Sequence, residues 1–99
     1  MIRHIVMWNL KEEAEGHDKA YNAARIKKSL EALVGIVPGL ISLEVGYNYT
    51  PGGYDLCLCS RMESKEALEG YTNHPEHVKV KEFVHKVITD RVVGDYEMD

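Results

Sequence analysis

The sequence predicts an α+β fold in which a four-stranded antiparallel sheet carries helices on one face. Four stretches rich in β-branched and aromatic residues are interspersed with stretches whose apolar residues recur every three or four positions. A TPGG turn at residues 50–53 separates the second and third strand patterns, as in a hairpin. A chain of 99 residues suits one domain, which is predicted to span residues 1–99.

The first strand is predicted over residues 2–10, IRHIVMWNL, which include β-branched and aromatic residues but no Gly or Pro. Because side chains alternate along a strand, this segment has two faces. One face carries Ile2, His4, Val6, Trp8 and Leu10, and the other carries Arg3, Ile5, Met7 and Asn9. Both faces are largely apolar, so we expect helices to cover one and a second layer to cover the other.

A polar loop is predicted over residues 11–17, followed by a first helix from Asp18 to Val34. The carboxylate of Asp18 can cap the N-terminus of this helix, and Gly35 is the expected stop. The apolar positions of the helix recur near helical spacing, which predicts one face packed against the sheet.

The second strand is predicted over residues 41–49, where apolar and polar residues alternate, and the third over residues 54–62. A short helix follows over residues 63–71, with Ser64 as its expected cap. This segment then leads into a stretch, GYTNHPEHVKVKEFV, that is rich in polar rings.

Pro75 predicts the first turn of a third helix, where the missing N–H group of proline costs nothing. His74 is then the expected cap, and the helix is predicted to end near Ile88. Residues 90–98 predict the fourth strand, with Gly94 as the expected site of a bulge.

The predicted order of elements is β–α–β–β–α(α)–β, which is the ferredoxin-like, split βαβ arrangement. A single copy would leave the second face of its sheet exposed to water, and a large exposed apolar patch marks a partner surface. We therefore expect a homodimer in which two sheets close into one α/β barrel.

Charge and composition narrow the classes of partner. The formal net charge is −4, and acidic and basic residues are interspersed, so neither a nucleic acid nor a membrane is the expected partner. No apolar stretch reaches the length of a membrane span or forms a signal-peptide core, which predicts a cytoplasmic protein. Cys57 and Cys59 lie on one side of the third strand, and we expect two reduced core thiols.

Three polar rings are candidates for chemistry on the residues alone. His77 lies near the start of the third helix, where the helix dipole disfavours protonation, so a neutral imidazole could act as a general base. The hydroxyl of Tyr71 could donate to a carbonyl oxygen, and His4 is a polar ring on an apolar strand face. Each could equally be a buried ring whose polar atoms are satisfied by the protein itself. His4, His74 and His77 could in principle bind a metal, but no carboxylate stands out at a matching position, although Glu76 is nearby.

The sequence resembles a known family over essentially the whole chain. The matching segments are RHIVMWNL, LVGIVPGLISLEVGYN, GGYDLCLCSRMES, and EALEGYTNHPEHVKVKEFVHKV followed by VVGDYE. Together they resemble the stress-responsive dimeric α/β-barrel family, often called Dabb. The resemblance implies a ferredoxin-like protomer, a homodimer and a small-molecule-sized cavity between the sheet and the helices.

The resemblance also implies candidate site residues. Most members of the family have no assigned reaction, but a few plant members are polyketide cyclases that use a tyrosine and a histidine without a cofactor. Those two residues match Tyr71 and His77, and His4 and His74 match positions that face or border the pocket. Trp8 stands where the cyclases have a smaller aliphatic residue.

The function expected from these observations is binding of an apolar or aromatic small molecule by a stress-response-type dimer. The predicted ligand-binding residues are His4, Val6, Trp8 and His74, and no cofactor or metal is predicted. One alternative is a cofactor-free acid–base enzyme, an aldol cyclase or isomerase, in which Tyr71 and His77 are catalytic. Another is a purely structural dimer whose pocket is filled by its own side chains.

Overall fold

A computed structural model describes residues 1–98 of the chain. Strands β4, β5, β1 and β6 form, in this order, one antiparallel sheet, and β2 and β3 form a separate short hairpin. The predicted four-stranded antiparallel sheet with three helices is confirmed. The elements are β1 Ile2–Leu10, β2 Glu13–Ala14, β3 His17–Asp18, α1 Lys19–Glu31, β4 Leu40–Tyr47, β5 Leu56–Met62, α2 Lys65–Asn73, α3 Pro75–Val87 and β6 Ile88–Glu97.

The central strand β1 shows why one face of the sheet is the core. It lies between β5 and β6, and its side chains are alternately buried and half-buried. The buried set faces the helices and comprises Ile2, His4, Val6, Trp8 and Leu10. The half-buried set, Arg3, Ile5, Met7 and Asn9, lies on the opposite side, which we call the open face.

The helix caps predicted from the sequence are present. Asp18 Oδ1 accepts a hydrogen bond from the backbone N–H of Tyr21 at 2.9 Å, and Ser64 Oγ accepts one from Ala67 at 3.0 Å. Helix α1 ends at Glu31 rather than at Val34, because residues 32–36 form successive turns instead of a further helical turn.

Strand boundaries differ from the prediction at both ends of β4, at the start of β5, which is Leu56, and at both ends of β6, which spans Ile88–Glu97. Strand β4 begins at Leu40, and an irregularity in its pairing between Leu40 and Ser42 turns Ile41 outward. Its last residue is Tyr47, whereas Tyr49 lies beyond it and is 96% exposed. The predicted polar loop over residues 11–17 contains the β2–β3 hairpin.

Gly39 allows the chain to turn from α1 into β4 close to helix α2. Its φ of +82° lies in the left-handed region, and a Cβ atom there would lie 2.5 Å from the Cβ of Ala67. A side chain at this position would therefore be strained and would clash with α2. The turn brings β4 alongside β5 at the edge of the sheet.

Strand β6 begins directly after α3 and runs along the free edge of β1. The bulge predicted at Gly94 is not there, because Gly94 pairs in register with Ile5. The irregularity falls at Thr89, since Asn9 pairs with Asp90 while Leu10 pairs with Ile88. The shift lies next to the helix end, and the rest of β6 keeps one register along β1.

The two cysteines are free thiols, but they are not part of the core. Cys57 and Cys59 pair with Met7 and Ile5 of β1, so their side chains share the open face. Both are half-buried. The expectation of core thiols was wrong because β5 turns its other residues, Leu56, Leu58, Ser60 and Met62, toward the helices.

Candidate functional site

The face of the sheet that packs against the helices is called the covered face. A cavity of about 280 Å³ lies between this face and helices α2 and α3. The purely structural alternative predicted no such space, because in it the chain's own side chains would fill the pocket. The wall is formed by residues of β1, β5, β6 and all three helices: His4, Val6, Trp8, Leu30, Leu58, Tyr71, Thr72, His77, Lys81, Val84, His85 and Arg91.

The break between α2 and α3 places two of the predicted site residues side by side. Tyr71 lies in the last turn of α2, and His77 lies in the first turn of α3, which begins at Pro75. Their rings stack with centroids 4.0 Å apart and an angle of 26° between the planes. Both side chains are buried: Tyr71 is 2% exposed and His77 is 9% exposed.

His4 extends this pair into a row of three rings. Its ring meets Tyr71 edge-on, with centroids 5.9 Å apart and an interplanar angle of 65°. On its other side, His4 Nδ1 is hydrogen-bonded to Oδ1 of Asp95, which lies directly opposite on β6. A carboxylate can only accept, so this bond fixes the proton of His4 on Nδ1 when the ring is neutral. We call His4, Tyr71 and His77 the ring row.

Burial keeps His77 neutral. The pKa of His77 is lowered from 6.5 to about 4, mainly by loss of hydration and in smaller part by the ammonium group of Lys81. A hydrogen bond to the carbonyl oxygen of Thr72, with Nδ1 3.4 Å away, opposes these effects. At neutral pH the ring therefore carries no charge and has one nitrogen lone pair available to accept a proton.

Burial also keeps Tyr71 protonated. Loss of hydration raises the pKa of Tyr71, while the guanidinium of Arg91 acts in the opposite direction. The phenol is therefore a hydrogen-bond donor at neutral pH, and not a phenolate. Arg91 and Tyr71 line the same cavity.

The stacked geometry decides how the two groups can act together. The nitrogen lone pairs of His77 lie in the plane of its ring, and they do not point at a ring stacked above them. The two groups are therefore suited to act on neighbouring atoms of one ligand, and less suited to exchange a proton with each other. Such a pair can hold a carbonyl oxygen with Tyr71 and accept a proton with His77.

The other predicted ligand-binding residues fall into two groups. Val6 and Trp8 line the cavity from β1 and are 2% and 5% exposed. His74 is half-buried and does not line the cavity, because its Nδ1 accepts a hydrogen bond from the backbone N–H of Glu76 at 3.1 Å. It caps α3, as the sequence predicted, and its role in ligand binding stays a prediction.

Sequence reasoning missed part of this site. Arg91 and Asp95 enter it through the pairing of β6 with β1, and no local pattern gives that register. Lys81 and His85 could have been found, because they lie four and eight residues after His77 on the same face of α3.

Within residues 1–98, no group of three or more His, Cys, Asp or Glu side chains is placed to hold a metal ion. No helix within the same residues has the length and the apolar character needed to cross a membrane.

Comparison with known proteins now gives the family. The sequence matches the stress-responsive A/B barrel domain, Dabb, over residues 2–98. The chain belongs to this family. An uncharacterized protein of Streptomyces coelicolor is 29% identical to it, over 98% of this chain and 99% of the relative.

Solved structures of the fold agree with this assignment. A Bacteroides fragilis protein described as dimeric, of unknown function and ferredoxin-like is 28% identical, with a TM-score of 0.87 over 98% of this Dabb chain and 95% of the other. The predicted ferredoxin-like fold is thereby confirmed. A hydroxynitrile lyase from Passiflora edulis has a TM-score of 0.81 over 99% and 93% of the chains, but its 17% identity shows only a common fold.

Proposed function

We propose that this Dabb protein binds a small apolar or aromatic molecule in the cavity beside the ring row. The observation that carries the proposal is the cavity of about 280 Å³ between the sheet and the helices. Ligand pockets in proteins hold about 300 to 1,000 Å³. A space near the lower end of that range suits a molecule of one or two rings.

The lining supports an apolar body with a small number of polar anchors. Val6, Trp8, Leu58 and Val84 are each at most 5% exposed, so this part of the wall is held by the core and is formed before a ligand arrives. The hydroxyl of Tyr71 is one of the polar groups beside this apolar part of the wall that could orient a ligand. Apolar walls with a few convergent polar groups are typical of small-molecule sites.

Binding can be tested with 2-naphthamide, a neutral two-ring probe, by isothermal titration calorimetry. We expect binding to the wild-type chain, and a loss of about tenfold or more in Val84→Phe, whose added ring occupies the cavity. Val80→Phe is the matched control, because Val80 lies one turn earlier on α3, is half-buried and does not line the cavity.

Two results would contradict the binding proposal. One is the absence of measurable binding by a wild-type chain that is folded by circular dichroism. The other is an equal loss of affinity in Val84→Phe and Val80→Phe, because a general change in α3 would then explain the effect.

A second candidate function, cofactor-free acid–base catalysis, is favoured by the placement of the Tyr71 phenol and the His77 imidazole side by side in the wall of one cavity. Tyr71 would hold the carbonyl oxygen of a ligand while His77 removes a proton from the adjacent carbon. The proton moves to His77, the electron pair moves into the carbonyl group, and an enolate forms beside the phenol. Return of the proton from His77 to a different atom of the enolate would complete an isomerisation. Attack of the enolate carbon on a second carbonyl group of the ligand, with return of the proton to the alkoxide that forms, would complete an aldol cyclisation.

The acid–base proposal can be tested by the exchange of α-protons of 2-tetralone in D₂O, followed by NMR. We expect the wild-type chain to accelerate exchange, and His77→Gln to reduce the acceleration by about a hundredfold. Tyr71→Phe should reduce it as well, whereas His17→Gln, an exposed histidine outside the cavity, should not. Exchange that persists unchanged in His77→Gln, with the variant folded, would rule out His77 as the base.

We also propose that two copies pair through their open faces. Half-buried Ile5 and Met7 lie at the centre of that face, and Val92 and Tyr96 on β6 are 45% and 52% exposed in the single chain. Apolar side chains of this extent on a sheet face are typical of a subunit contact. Sedimentation velocity should give the mass of a dimer at micromolar concentration, and a monomer at all concentrations would refute the pairing.

A further inference from the structure

The charged groups that line the cavity share one sign. Two cations, Lys81 and Arg91, and three imidazoles, His4, His77 and His85, are among its lining residues. None of the acidic residues within 1–98 lines it. The chain as a whole has 16 acidic residues against 12 Lys and Arg, with a net charge of −4. The cavity therefore differs in charge from the molecule around it.

Helix α3 supplies a line of these groups. His77, Lys81 and His85 are spaced four residues apart, so they lie on one face of the helix. The first is buried, the second is half-buried and the third is exposed. The line therefore runs from the interior of the cavity to its mouth, and the positive charge of Lys81 lies between the buried ring and solvent.

Lys81 is held in place at this wall. Its Nζ donates a hydrogen bond to the carbonyl oxygen of Thr72 at 3.0 Å, at the C-terminal end of α2. The same carbonyl oxygen lies 3.4 Å from Nδ1 of His77. No carboxylate within residues 1–98 forms an ion pair with Lys81, so its charge is not neutralised locally.

Arg91 faces the helix line from the sheet. It pairs with Trp8 across β1 and β6, so its side chain leaves the sheet on the covered side. The nearest carboxylate on that side of β6 belongs to Asp95, four residues along the strand, and it is already bonded to His4. Within the described chain, residues 1–98, Arg91 forms no ion pair, and its guanidinium is open to a ligand.

We infer that the cavity takes an anionic ligand, namely a small aromatic or alicyclic carboxylate whose carboxylate group meets Arg91 at the mouth. This inference rests on the proposed binding function and adds the charge of the ligand to it. The ring of the ligand lies against Trp8 and the ring row, and the carboxylate is paired by the planar fork of the guanidinium. Lys81 adds a second positive charge on the opposite wall.

The test compares two probes of nearly equal shape, 2-naphthoate and neutral 2-naphthamide, by isothermal titration calorimetry. We expect the wild-type chain to bind 2-naphthoate about tenfold more tightly, with the difference shrinking as salt is raised. Arg91→Gln should remove this preference, so that the ratio of the two affinities measured on the same variant falls to about one. Lys86→Gln is the control, because it also removes one positive charge. The side chain of Lys86, on α3, is 62% exposed and lies outside the cavity.

Each outcome has a distinct meaning. If both probes bind equally to the wild-type chain, the inference about charge is refuted and the proposed binding function stands. The inference also fails if Arg91→Gln and Lys86→Gln weaken 2-naphthoate binding equally, because the overall charge would then be responsible. If neither probe binds, the binding function fails, and the carboxylate site fails with it.

Discussion

The two faces of the sheet are made of alternate residues of the same strands, but they have different surroundings. On the covered face, His4, Val6 and Trp8 of β1 are at most 8% exposed and border a cavity. On the open face, their neighbours Ile5 and Met7 remain half-buried, although they are equally apolar. The difference arises because helices of the same chain cover one face, while no part of residues 1–98 covers the other.

The two faces of β1 therefore have different roles in the protein. The covered face supplies the ring row, and its low exposure is what keeps His77 neutral and Tyr71 protonated. The open face supplies an apolar surface, and its exposure makes that surface available to the second copy that we propose. Changes on the two faces should therefore have different consequences, one for folding and chemistry and the other for assembly.

The largest effect is expected from a charge placed at the centre of the open face. Ile5→Glu would bury a carboxylate in the proposed dimer contact, twice because of the two-fold symmetry. The dimer should weaken by about a hundredfold or more, as measured by sedimentation equilibrium. Ile36→Glu is the control, because Ile36 is 52% exposed in a turn outside the sheet. An Ile5→Glu chain that remains as dimeric as the wild type would exclude this face as the contact.

The second-largest effect is expected when a buried side chain on the covered face is shortened. Leu58 is 1% exposed in β5, so Leu58→Ala removes packed methyl groups and should lower the free energy of unfolding by about 2–5 kcal/mol. Ile36→Ala deletes the same number of atoms from a 52% exposed side chain and should cost less than about 1 kcal/mol. Urea denaturation of both variants measures the difference. Similar losses would mean that the covered face is not the dominant core.

The sequence was sufficient for the features that depend on local pattern. The alternation of residues 2–10 predicted the members of both faces, and Pro75 predicted the break that places Tyr71 beside His77. Asp18 likewise predicted its own cap. These features depend on residues close in sequence, where periodicity and capping preferences act directly.

Features that depend on pairing between distant strands could not be predicted in the same way. Arg91 and Asp95 join the site only because β6 pairs with β1 in one particular register. That register is set near Thr89, where one residue is left out of the pairing, and not at Gly94. A shift by one residue would move both side chains to the open face, and the sequence of β6 alone does not fix it.

The free energy of unfolding should depend on pH because His77 is buried on the covered face. The pKa of His77 is about 4 in the folded chain and 6.5 when exposed, so the unfolded state binds more protons between these values. The stability contributed by neutral His77 is therefore complete above pH 6.5 and is lost progressively as the pH falls toward 4. In His77→Gln this part of the decline should be absent, which urea denaturation at several pH values can measure. Parallel pH curves for the two chains would show that burial does not hold His77 neutral.

The smallest effect on stability is expected at Asp95, although the residue orders the ring row. Its side chain is 42% exposed, so Asp95→Asn should lower the free energy of unfolding by less than about 1 kcal/mol. The amide can donate as well as accept, so the proton of His4 is no longer fixed on Nδ1. The ¹⁵N shifts of the His4 ring should therefore change, whereas Asp90→Asn, at the other end of β6 and opposite Asn9 on the open face, should leave them as they are. Unchanged shifts in Asp95→Asn would mean that Tyr71 and the surrounding core, and not the carboxylate, orient His4.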